Sequence, residues 1–413
     1  MDHKVIAAPD TINALPDNVA NWLPADCDAR ETYARSRRYL IVINEIGFVY
    51  SHFWNLALRI QAAGWQVIIA SAAVSDPQRA LDAGLKFIRL NPTFGIGHPV
   101  EEARSLLELR RAIRSTQPHV LHLISLKNCL LGGVLARSER VPAVLCGITG
   151  LGTLFVEDRA LYKALRPAVM RVFRYVLSHK NSVLALENHD DERYFIERNI
   201  SPADRTKVIP GACFVADAIT PVARPEGIPI ILCVSRMIRS KGIFDLVKAA
   251  KLLHDRGLEF VVHLVGDIDA RNPTSLTREE LKAAEVSGFV KWLGPRSDVP
   301  ELLAKASVFC LPTYYREGLP QVLKEATAAG CAIVTTDVPG CREVVVDGVN
   351  GYLVPPRDVT ALAEALASLL QDPRTCERMG REARLRFEKC FTHRCVFDAF
   401  NSCYAALNTE LTV

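Results

Sequence analysis

The feature that most constrains the fold is a regular alternation of short apolar runs with amphipathic helical stretches. In the first half of the chain the apolar runs lie at 38–43, 66–70, 86–90, 120–124 and 143–146. Strands joined by helices form a parallel sheet that is covered on both faces, because each crossover places a helix against the sheet. The sequence therefore predicts an α/β fold.

A second series of the same kind follows the segment 219–229, in which three prolines and a glycine interrupt both periodicities. The strands predicted in this second series lie at 230–235, 260–265, 290–293, 308–311, 332–335 and 351–354. We therefore expect two doubly wound, Rossmann-like domains that face each other across a cleft. In such sheets ligands bind at the carboxyl ends of the strands.

These patterns predict five segments. An N-terminal extension, 1–37, has no assigned role, and a first Rossmann-like domain covers 38–218. The linker at 219–229 leads to a second Rossmann-like domain at 230–385. We expect the helices of 386–413 to pack back on the first domain.

Composition excludes several classes of protein. Hydrophobic residues at 49% and charged residues at 23% are typical of a globular chain. No apolar run approaches the roughly 18 residues of a membrane span, and Met1 to Arg38 has no apolar stretch typical of a signal peptide. The twelve cysteines include no CxxC pair, so we expect buried free thiols and a cytoplasmic protein.

Positive charge is concentrated in the first half. The net charge is +5 over residues 1–225 and −1 over the remainder, and Arg159 to Lys180 contains six basic residues and no acid. This stretch has one apolar and one basic helical face, which fits either an anionic membrane surface or an ordinary solvated helix. Pro167 predicts that the helix is broken into two pieces.

The most informative segment is Tyr314 to Gly330, which contains Glu317, Gly318-Leu319-Pro320 and Glu325. Proline is tolerated at the start of a helix, and the backbone amides of a helix N-terminus attract anions. Glu317 then lies in the loop before the helix and Glu325 on its second turn. A pair of glutamates at this spacing, taken alone, also fits a solvated helix face.

Two cations follow the first strand of the second series. Arg236 comes directly after the strand, and Lys241-Gly242 precedes the next helix. Cations in this position can neutralise a diphosphate whose charge grows as a bond to it breaks, or they can simply cap the edge of the sheet. Asp267-Ile268-Asp269 matches the sequence of a DxD metal-binding motif, but we interpret it as a pair of acidic residues in a loop.

Taken in order, these motifs resemble the C-terminal domain of the family 4 retaining glycosyltransferases, which have the GT-B fold. Further matching motifs are Gly266-Asp267, Trp292-Leu293-Gly294, Asp298-Val299-Pro300-Glu301-Leu302-Leu303, Asp337-Val338-Pro339-Gly340, Asp347-Gly348-Val349-Asn350-Gly351 and Val354-Pro355-Pro356. The resemblance extends from about Arg38 to the C-terminus.

The N-terminal half resembles the bacterial branch of this family that builds capsule, O-antigen and exopolysaccharide repeat units. The matching stretches are Phe48 to His52, Val120 to Lys127, Gly147 to Gly152 and Ile209 to Gly211. Many members carry a His-x-His at the third parallel strand of this domain. This chain has His122 followed by Ile124, so His122 is the only imidazole there.

The resemblance assigns a role to each candidate site residue. It implies catalytic roles for Glu317, His122, Arg236 and Lys241, although His122 could instead be a buried core residue. It implies that Glu317 contacts the transferred sugar, that Glu325 contacts the ribose, and that His52 and Lys127 lie on the acceptor side. The implied donor-binding residues are Gly47, Arg236, Lys241, Gly294, Glu317, Gly318, Leu319 and Glu325.

The resemblance also implies the reaction and its setting. We expect a metal-independent enzyme without a cofactor, which transfers a hexose or N-acetylhexosamine from a nucleotide sugar, UDP-linked by preference, to a polyprenyl-diphosphate-linked saccharide. The expected location is the bacterial cytoplasm, at the inner face of the membrane, with the 159–180 stretch on anionic lipid and no nucleic acid partner. The alternatives are a nucleotide-sugar epimerase of the same fold and an inactive binding protein of a polysaccharide-assembly complex.

Overall fold

The structure is a computed structural model that describes residues 37–72, 75–91, 99–152, 155, 160–211, 219, 227–269, 272, 274–285 and 288–413. The chain divides into two compact units. Unit 1 consists of Met1–Cys213 together with Val396–Val413, and unit 2 is Phe214–Cys395. Residues 1–36 of the predicted extension, 1–37, and most of the predicted linker lie outside the described residues.

Unit 1 is built on a seven-stranded parallel sheet with the strand order β3-β2-β1-β4-β5-β6-β7. Its strands are β1 (Arg38–Glu45), β2 (Gln66–Ala72), β3 (Lys86–Arg89), β4 (Val120–Ile124), β5 (Ala143–Ile148), β6 (Ser182–Leu186) and β7 (Thr206–Val208). The strand order reverses between β1 and β4. In doubly wound folds this switch point places a crevice beyond the carboxyl ends of the two strands.

Helices connect these strands. They are α1 (Ile46–Phe48), α2 (Trp54–Ala62), α3 (Gln78–Asp82), α4 (Pro99–Thr116), α5 (Leu126–Ser138), α6 (Ala160–Leu177) and α7 (His189–Glu197), with a π-helical turn at Val49–Phe53 between α1 and α2. The helical segment after β1 therefore begins at Ile46, directly after the strand, and contains a π-helical turn.

Helix α5 packs closely against its neighbours because it carries two successive glycines. A Cβ atom at Gly132 would lie 2.4 Å from the Leu123 side chain of β4, and one at Gly133 would lie 2.3 Å from Val176 of α6. Since only glycine leaves room for these contacts, the pair fixes α5 against the sheet and against α6.

Unit 2 contains a six-stranded parallel sheet with the strand order β10-β9-β8-β11-β12-β13. Its strands are β8 (Ile230–Val234), β9 (Val261–Val265), β10 (Val290–Trp292), β11 (Val308–Leu311), β12 (Ala332–Thr336) and β13 (Gly351–Val354). The order reverses between β8 and β11. The predicted α/β fold with two parallel, doubly wound sheets is confirmed.

The helices of unit 2 cover both faces of this sheet. They are α8 (Ile243–Asp255), α9 (Arg278–Glu285), α10 (Val299–Lys305), α11 (Gln321–Ala328), α12 (Cys341–Val344), α13 (Val359–Gln371) and α14 (Pro373–Cys390). Two buried clusters, one on each face, contain strand residues such as Ile231 and Leu232, which alternate between them. Burial on both faces explains why the strands are apolar throughout.

The last helix, α15 (His393–Ala406), returns the chain to unit 1. Phe400 and Tyr404 of α15 are fully buried, and the Tyr404 hydroxyl lies 3.1 Å from the Tyr39 hydroxyl of β1. The return begins at Val396, later than the predicted residue 386.

Two expectations from the sequence are corrected. Pro167 lies inside α6 without ending it. Proline removes only the hydrogen bond to the carbonyl four residues earlier, at Lys163, and water can satisfy a carbonyl on this exposed part of the helix. Unit 1 also contains two strands, β6 and β7, that the sequence pattern did not predict.

The described cysteines agree with the expectation of free thiols, since all ten are free and eight of them are buried. Among the described residues, no helix combines the length and the apolar character that crossing a membrane requires.

Candidate active site

The carboxyl ends of β8 and β11 lie side by side in unit 2, and each is followed by a predicted site residue. Lys241 follows β8, and Glu317 follows β11. Lys241 Nζ lies 2.5 Å from Glu317 Oε1, and the two side chains are only 14% and 13% exposed. The ion pair is therefore largely shielded from water. In such surroundings each charge needs the other to compensate for its lost hydration.

Backbone contacts hold these two loops together. Gly242 has φ 72°, and a Cβ atom there would lie 2.0 Å from the carbonyl oxygen of Pro312, so only glycine fits. Thr313 Oγ1 lies 3.1 Å from the Ser240 carbonyl oxygen and 3.0 Å from Glu317 Oε1. Thr313 was not predicted as a site residue, although its position two residues after the end of β11 is a signal that could have indicated it.

The loop of Glu317 and Gly318 is supported from β12. Gly340 has φ 83°, and a Cβ atom there would lie 2.4 Å from the Gly318 carbonyl oxygen. The Thr336 hydroxyl donates to the carbonyl of Thr313. Pro320 occupies the extended residue just before α11 rather than its first turn, and Leu319 is 9% exposed.

Glu325 lies on the second turn of α11, as the sequence predicts. Burial raises the pKa of its carboxyl group to about 7, while Lys324 and Gln321 oppose that rise. A carboxyl group of this kind changes its charge near neutral pH, which is characteristic of functional sites.

Arg236 lies two residues after the end of β8 and is more exposed than Lys241. Its Nη1 lies 3.0 Å from Asp269 Oδ2, and its side chain is 61% exposed. Asp267 accepts a hydrogen bond from the Ile268 amide through Oδ1, at 2.8 Å. Both acids of the Asp267-Ile268-Asp269 motif thus have partners within unit 2, and the described residues contain no cluster of three metal-ligating side chains.

The turn after β10 reaches the same edge of the sheet. Trp292 Nε1 donates to the Gly266 carbonyl at 3.0 Å, and the Gly266 amide donates to the Gly294 carbonyl at 2.9 Å. Gly294 has φ 69°, with no atom within 4 Å of the position a Cβ would take. The predicted role of Gly294 in binding the donor stays a prediction.

In unit 1 the candidates Gly47 and His52 lie in the helical segment after β1. Gly47 has its backbone in α1, and its carbonyl oxygen lies 2.9 Å from Ser51 Oγ. His52 Nδ1 lies 2.7 Å from the same Ser51 Oγ, and its ring packs on that of Phe48 at 5.3 Å. Phe48 is 54% exposed, so this pair of rings is open to solvent.

Lys127 lies in the first turn of α5, after the carboxyl end of β4, and forms an ion pair with Glu102 of α4. Beside it, Asn128 donates to Asn44 Oδ1 of β1 at 3.0 Å. Ser125 has φ 96° and ψ 153°, a strained conformation for a residue other than glycine. Asn44 and Asn128 were not predicted as site residues, because single asparagines carry no spacing signal.

His122 lies in the middle of β4 and not at its carboxyl edge, which favours the alternative of a buried core residue over the predicted catalytic role. Its side chain is 1% exposed in the middle of β4, with the rings of Tyr39, Phe53 and Phe400 around it. Its Nδ1 lies 3.1 Å from the Tyr39 hydroxyl, and burial lowers its pKa to about 3. The enclosed ring therefore packs among core side chains of the described residues.

The structure therefore gathers the predicted unit 2 residues at one edge. Arg236, Lys241, Gly294, Glu317, Gly318, Leu319 and Glu325 lie at or after the carboxyl ends of parallel strands, or at the start of the helix that follows β11. Gly47, His52 and Lys127 lie at the corresponding edge of the unit 1 sheet.

Two family models match the chain. Residues 217–386 match the model described as "Glycosyl transferases group 1", and residues 50–212 match the "Glycosyl transferase 4-like domain". The two matches together cover about four fifths of the chain.

Two curated relatives match over most of their lengths. The chain is 24% identical, over 74% of its length and 82% of the relative, to N,N'-diacetylbacillosaminyl-diphospho-undecaprenol alpha-1,3-N-acetylgalactosaminyltransferase of Campylobacter jejuni. It is 24% identical, over 66% of its length and 72% of the relative, to UDP-Gal:alpha-D-GlcNAc-diphosphoundecaprenol alpha-1,3-galactosyltransferase of Escherichia coli.

Solved structures agree on the fold. The sucrose-phosphate synthase of Thermosynechococcus elongatus superposes with a TM-score of 0.71 at 20% identity, over 90% of this chain and 99% of the other. With both family models matched in order and two parallel doubly wound sheets, the chain belongs to the GT-B glycosyltransferases that combine a 4-like N-terminal domain with a group 1 C-terminal domain.

Proposed function

We propose that this glycosyltransferase transfers a hexose or N-acetylhexosamine from a UDP-sugar to a polyprenyl-diphosphate-linked saccharide during surface polysaccharide synthesis, with retention of anomeric configuration. The observation that carries the proposal is the shielded contact between Lys241 and Glu317 at the carboxyl edge of the group 1 domain. The names of the two relatives, which specify diphospho-undecaprenol acceptors and in one case UDP-Gal, support the choice of substrates.

The donor diphosphate would bind at the ends of β8 and β11. Its charge grows as the bond to the sugar breaks, and Arg236 and Lys241 can stabilise that charge together with the amides of Gly318 and Leu319. A phosphate that takes the Lys241 ammonium as its partner releases the carboxylate of Glu317. The carboxylate can then accept hydrogen bonds from hydroxyl groups of the sugar.

Glu325 would accept a hydrogen bond from the ribose, and Gly294 would border the nucleobase. The acceptor hydroxyl attacks from the face that the diphosphate leaves, and a phosphate oxygen of the leaving group takes its proton. No protein base is then required. Cations and amides stabilise the leaving group in place of a metal ion, so the reaction proceeds without one.

The acceptor would bind at the carboxyl edge of the unit 1 sheet. His52 and Lys127 are the candidate contacts there, and the ring of Phe48 extends the exposed surface beside His52. Gly47 belongs to the same edge and is proposed to approach the donor phosphates.

Helix α6 would attach the enzyme to the inner face of the cytoplasmic membrane. Leu161, Val172 and Tyr175 are 57%, 37% and 50% exposed, and they lie on one side of the helix. Exposed apolar side chains insert between lipids, and each basic residue near an anionic surface adds about 1 kcal/mol.

A donor and acceptor screen tests this function. The purified enzyme is incubated with radiolabelled UDP- and GDP-sugars and with short-chain prenyl-diphosphate saccharides, and the anomeric configuration of any product is determined by NMR. We expect transfer from a UDP-sugar with retention, and transfer about 100-fold slower by Glu317→Gln. An inverted product contradicts the mechanism, and the absence of both transfer and UDP binding contradicts the function.

The same screen without acceptor separates the transferase from an epimerase of the same fold. An epimerase converts the donor sugar alone, whereas the proposed transferase leaves the sugar configuration of the donor unchanged. A new epimer in the acceptor-free arm would overturn the proposal.

A further inference from the structure

A cavity of about 900 Å³ opens at the amino ends of β5 and β6 in unit 1. It lies between the loop that leads from α5 to β5 and the loop that leads from α6 to β6. Its lining residues are Arg137, Arg140, Val141, Pro142, Ser178, His179, Lys180, Asn181 and Asn408. Pockets of this size accept small organic ligands.

The lining is strongly cationic. Arg137, Arg140 and Lys180 contribute three positive charges, and the lining contains no acidic residue. Neither Arg140 nor Lys180 forms an ion pair within the described parts of the chain. Arg205, which does not line the cavity, adds a further positive charge close to it, since its Nη1 donates a hydrogen bond to the carbonyl of His179 at 2.8 Å.

The helix ends at this edge do not cancel these charges. The C-termini of α5 and α6 point to the amino ends of the strands, and each carries about half a negative charge. Arg137 already stabilises the C-terminal end of α6, because its Nη1 donates a hydrogen bond to the Tyr175 carbonyl at 3.1 Å. Against about one negative charge in total, the three lining cations leave a net charge of about +2.

His179 adds a neutral donor. Its Nδ1 accepts a hydrogen bond from the Asn181 amide at 3.2 Å, so the proton of the neutral ring is on Nε2. Burial lowers the pKa of this imidazole and the charges of Arg137 and Lys180 lower it too, while its contacts with the backbone of Asn181 and Val141 oppose that fall. The net shift is downward, which favours the neutral ring, and the cavity combines cations with an imidazole.

We propose that this cavity binds a phosphate group, with Arg140, Lys180 and His179 as its ligands. A phosphate ester matches a site with surplus positive charge and several N–H donors. The site is separate from the proposed reaction. It lies at the amino edge of the sheet, and strands of five or six residues place it about 16–20 Å from the carboxyl edge.

Two sources can supply such a phosphate. One is the headgroup of an anionic phospholipid, because the cavity adjoins the C-terminal end of α6, which carries the exposed apolar residues. The other is a soluble phosphate ester. The chemistry recognised is the same in both cases, so the experiment separates them.

The test compares the wild-type enzyme with Arg140→Gly/Lys180→Gln. Arg140 has φ 54°, a conformation that glycine adopts freely, so the substitution removes a charge without adding backbone strain. Arg104→Gln/Arg111→Gln is the matched control, since it removes two exposed cations from α4 of the same unit. One arm titrates inorganic phosphate and sn-glycerol 3-phosphate by calorimetry. The other measures co-sedimentation with phosphatidylglycerol or phosphatidylcholine vesicles at fixed ionic strength.

For a soluble ester, we expect saturable binding that weakens at least about ten-fold in the cavity variant and is unchanged in the control. For a lipid headgroup, the same loss occurs with phosphatidylglycerol vesicles, without calorimetric binding. The proposal is overturned when neither probe binds, or when the cavity variant binds as well as the wild type or no worse than the control. Glycosyl transfer to a short-chain soluble acceptor stays unchanged in the cavity variant, so this result is independent of the proposed transferase activity.

Discussion

The contact between Lys241 and Glu317 has a direct kinetic consequence. Glu317→Gln keeps a side-chain oxygen for Lys241 and Thr313 but removes the negative charge that the proposed transition state uses. We expect kcat to fall about 100-fold, with the Kd for UDP changed less than about three-fold. Steady-state transfer kinetics and calorimetry with UDP measure the two quantities.

A matched control for this substitution is Glu301→Gln, which changes an exposed glutamate of α10 in the same unit. It should leave both kcat and the Kd for UDP at wild-type values. If Glu317→Gln transfers sugar at the wild-type rate, Glu317 has no catalytic role and the mechanism proposed for the ends of β8 and β11 is wrong.

Glu325 makes a prediction about pH and stability. Its pKa is about 7 in the folded protein, against 4.5 for an ordinary glutamate. Between these values the folded protein holds a proton that the unfolded chain has lost, so the free energy of unfolding falls as pH rises. The full loss is present above about pH 7 and amounts to roughly 3 kcal/mol.

Urea denaturation at about pH 5 and pH 8 measures this loss. We expect the wild type to lose stability over this interval relative to Glu325→Gln, which cannot ionise at this position. A control substitution of exposed Glu377→Gln should keep the wild-type pH dependence. Equal pH dependence in wild type and Glu325→Gln would show that Glu325 ionises normally.

His122 illustrates what the sequence could not establish about a residue. The motif placed it near the end of β4, and its chemistry is equally suited to catalysis and to a buried hydrogen bond. The deciding contact is with Tyr39, 83 residues away along the chain, and the ring of Phe400 comes from α15. Long-range packing of this kind has no local signal, whereas the glycine, proline and glutamate spacing around Glu317 is local and was predicted.

At the scale of elements, most strands were predictable because each is a short apolar run bounded by turn residues. Two strands, β6 and β7, were not predicted. Strand β7 has only three residues, Thr206–Val208, and two of them are polar or charged. Strand β6, by contrast, begins five residues after the end of α6, behind four polar residues, and its apolar run carries the ordinary signal of a strand, so it could have been predicted.

Pro167 within α6 predicts a gain in stability on substitution. Pro167→Ala supplies an N–H that can donate to the Lys163 carbonyl, four residues earlier, and removes the clash of the ring. We expect about 1–2 kcal/mol of stabilisation, less than the roughly 3 kcal/mol of a central helix position because the unfolded chain gains freedom. Thermal and urea denaturation measure the change.

Pro202→Ala provides a control of opposite sign. Pro202 lies outside a helix at φ −72°, where proline is unstrained, so its replacement should destabilise the protein by about 0.4–1 kcal/mol. Destabilisation by Pro167→Ala would mean that α6 depends on the bend that proline introduces.

The apolar side of α6 predicts lipid binding. Leu161→Gln/Val172→Gln removes two exposed apolar side chains without changing the net charge, so any loss of binding reports on insertion. We expect at least about five-fold weaker flotation with phosphatidylglycerol vesicles and unchanged transfer to a soluble acceptor. The control, Leu252→Gln, replaces a 37% exposed leucine of α8 in unit 2. Unchanged flotation would mean that α6 is an ordinary solvated helix.

At the scale of the whole molecule, two boundaries along the chain separate unit 1 from unit 2. Unit 1 needs both ends of the described chain, because the segment Val396–Val413 belongs to it while unit 2 is inserted between. The buried residues of this segment include Val396, Phe400, Tyr404, Leu407 and Leu411. Such a fold depends on long-range contacts, so unit 1 completes its core only after unit 2 has been synthesised.

Removal of residues 396–413 should therefore destabilise unit 1 selectively. The truncation exposes the face of β1 and β4 that Phe400 and Tyr404 cover, and Phe400→Ala is a milder variant that costs about 3–5 kcal/mol. Hydrogen exchange followed by mass spectrometry should show faster exchange in β1 and β4, with β11 and β12 of unit 2 unchanged. Ser402→Ala, on the exposed side of α15, should match the wild type. Equal loss of protection in both units, or none in unit 1, would show that the C-terminal segment does not complete the core of unit 1.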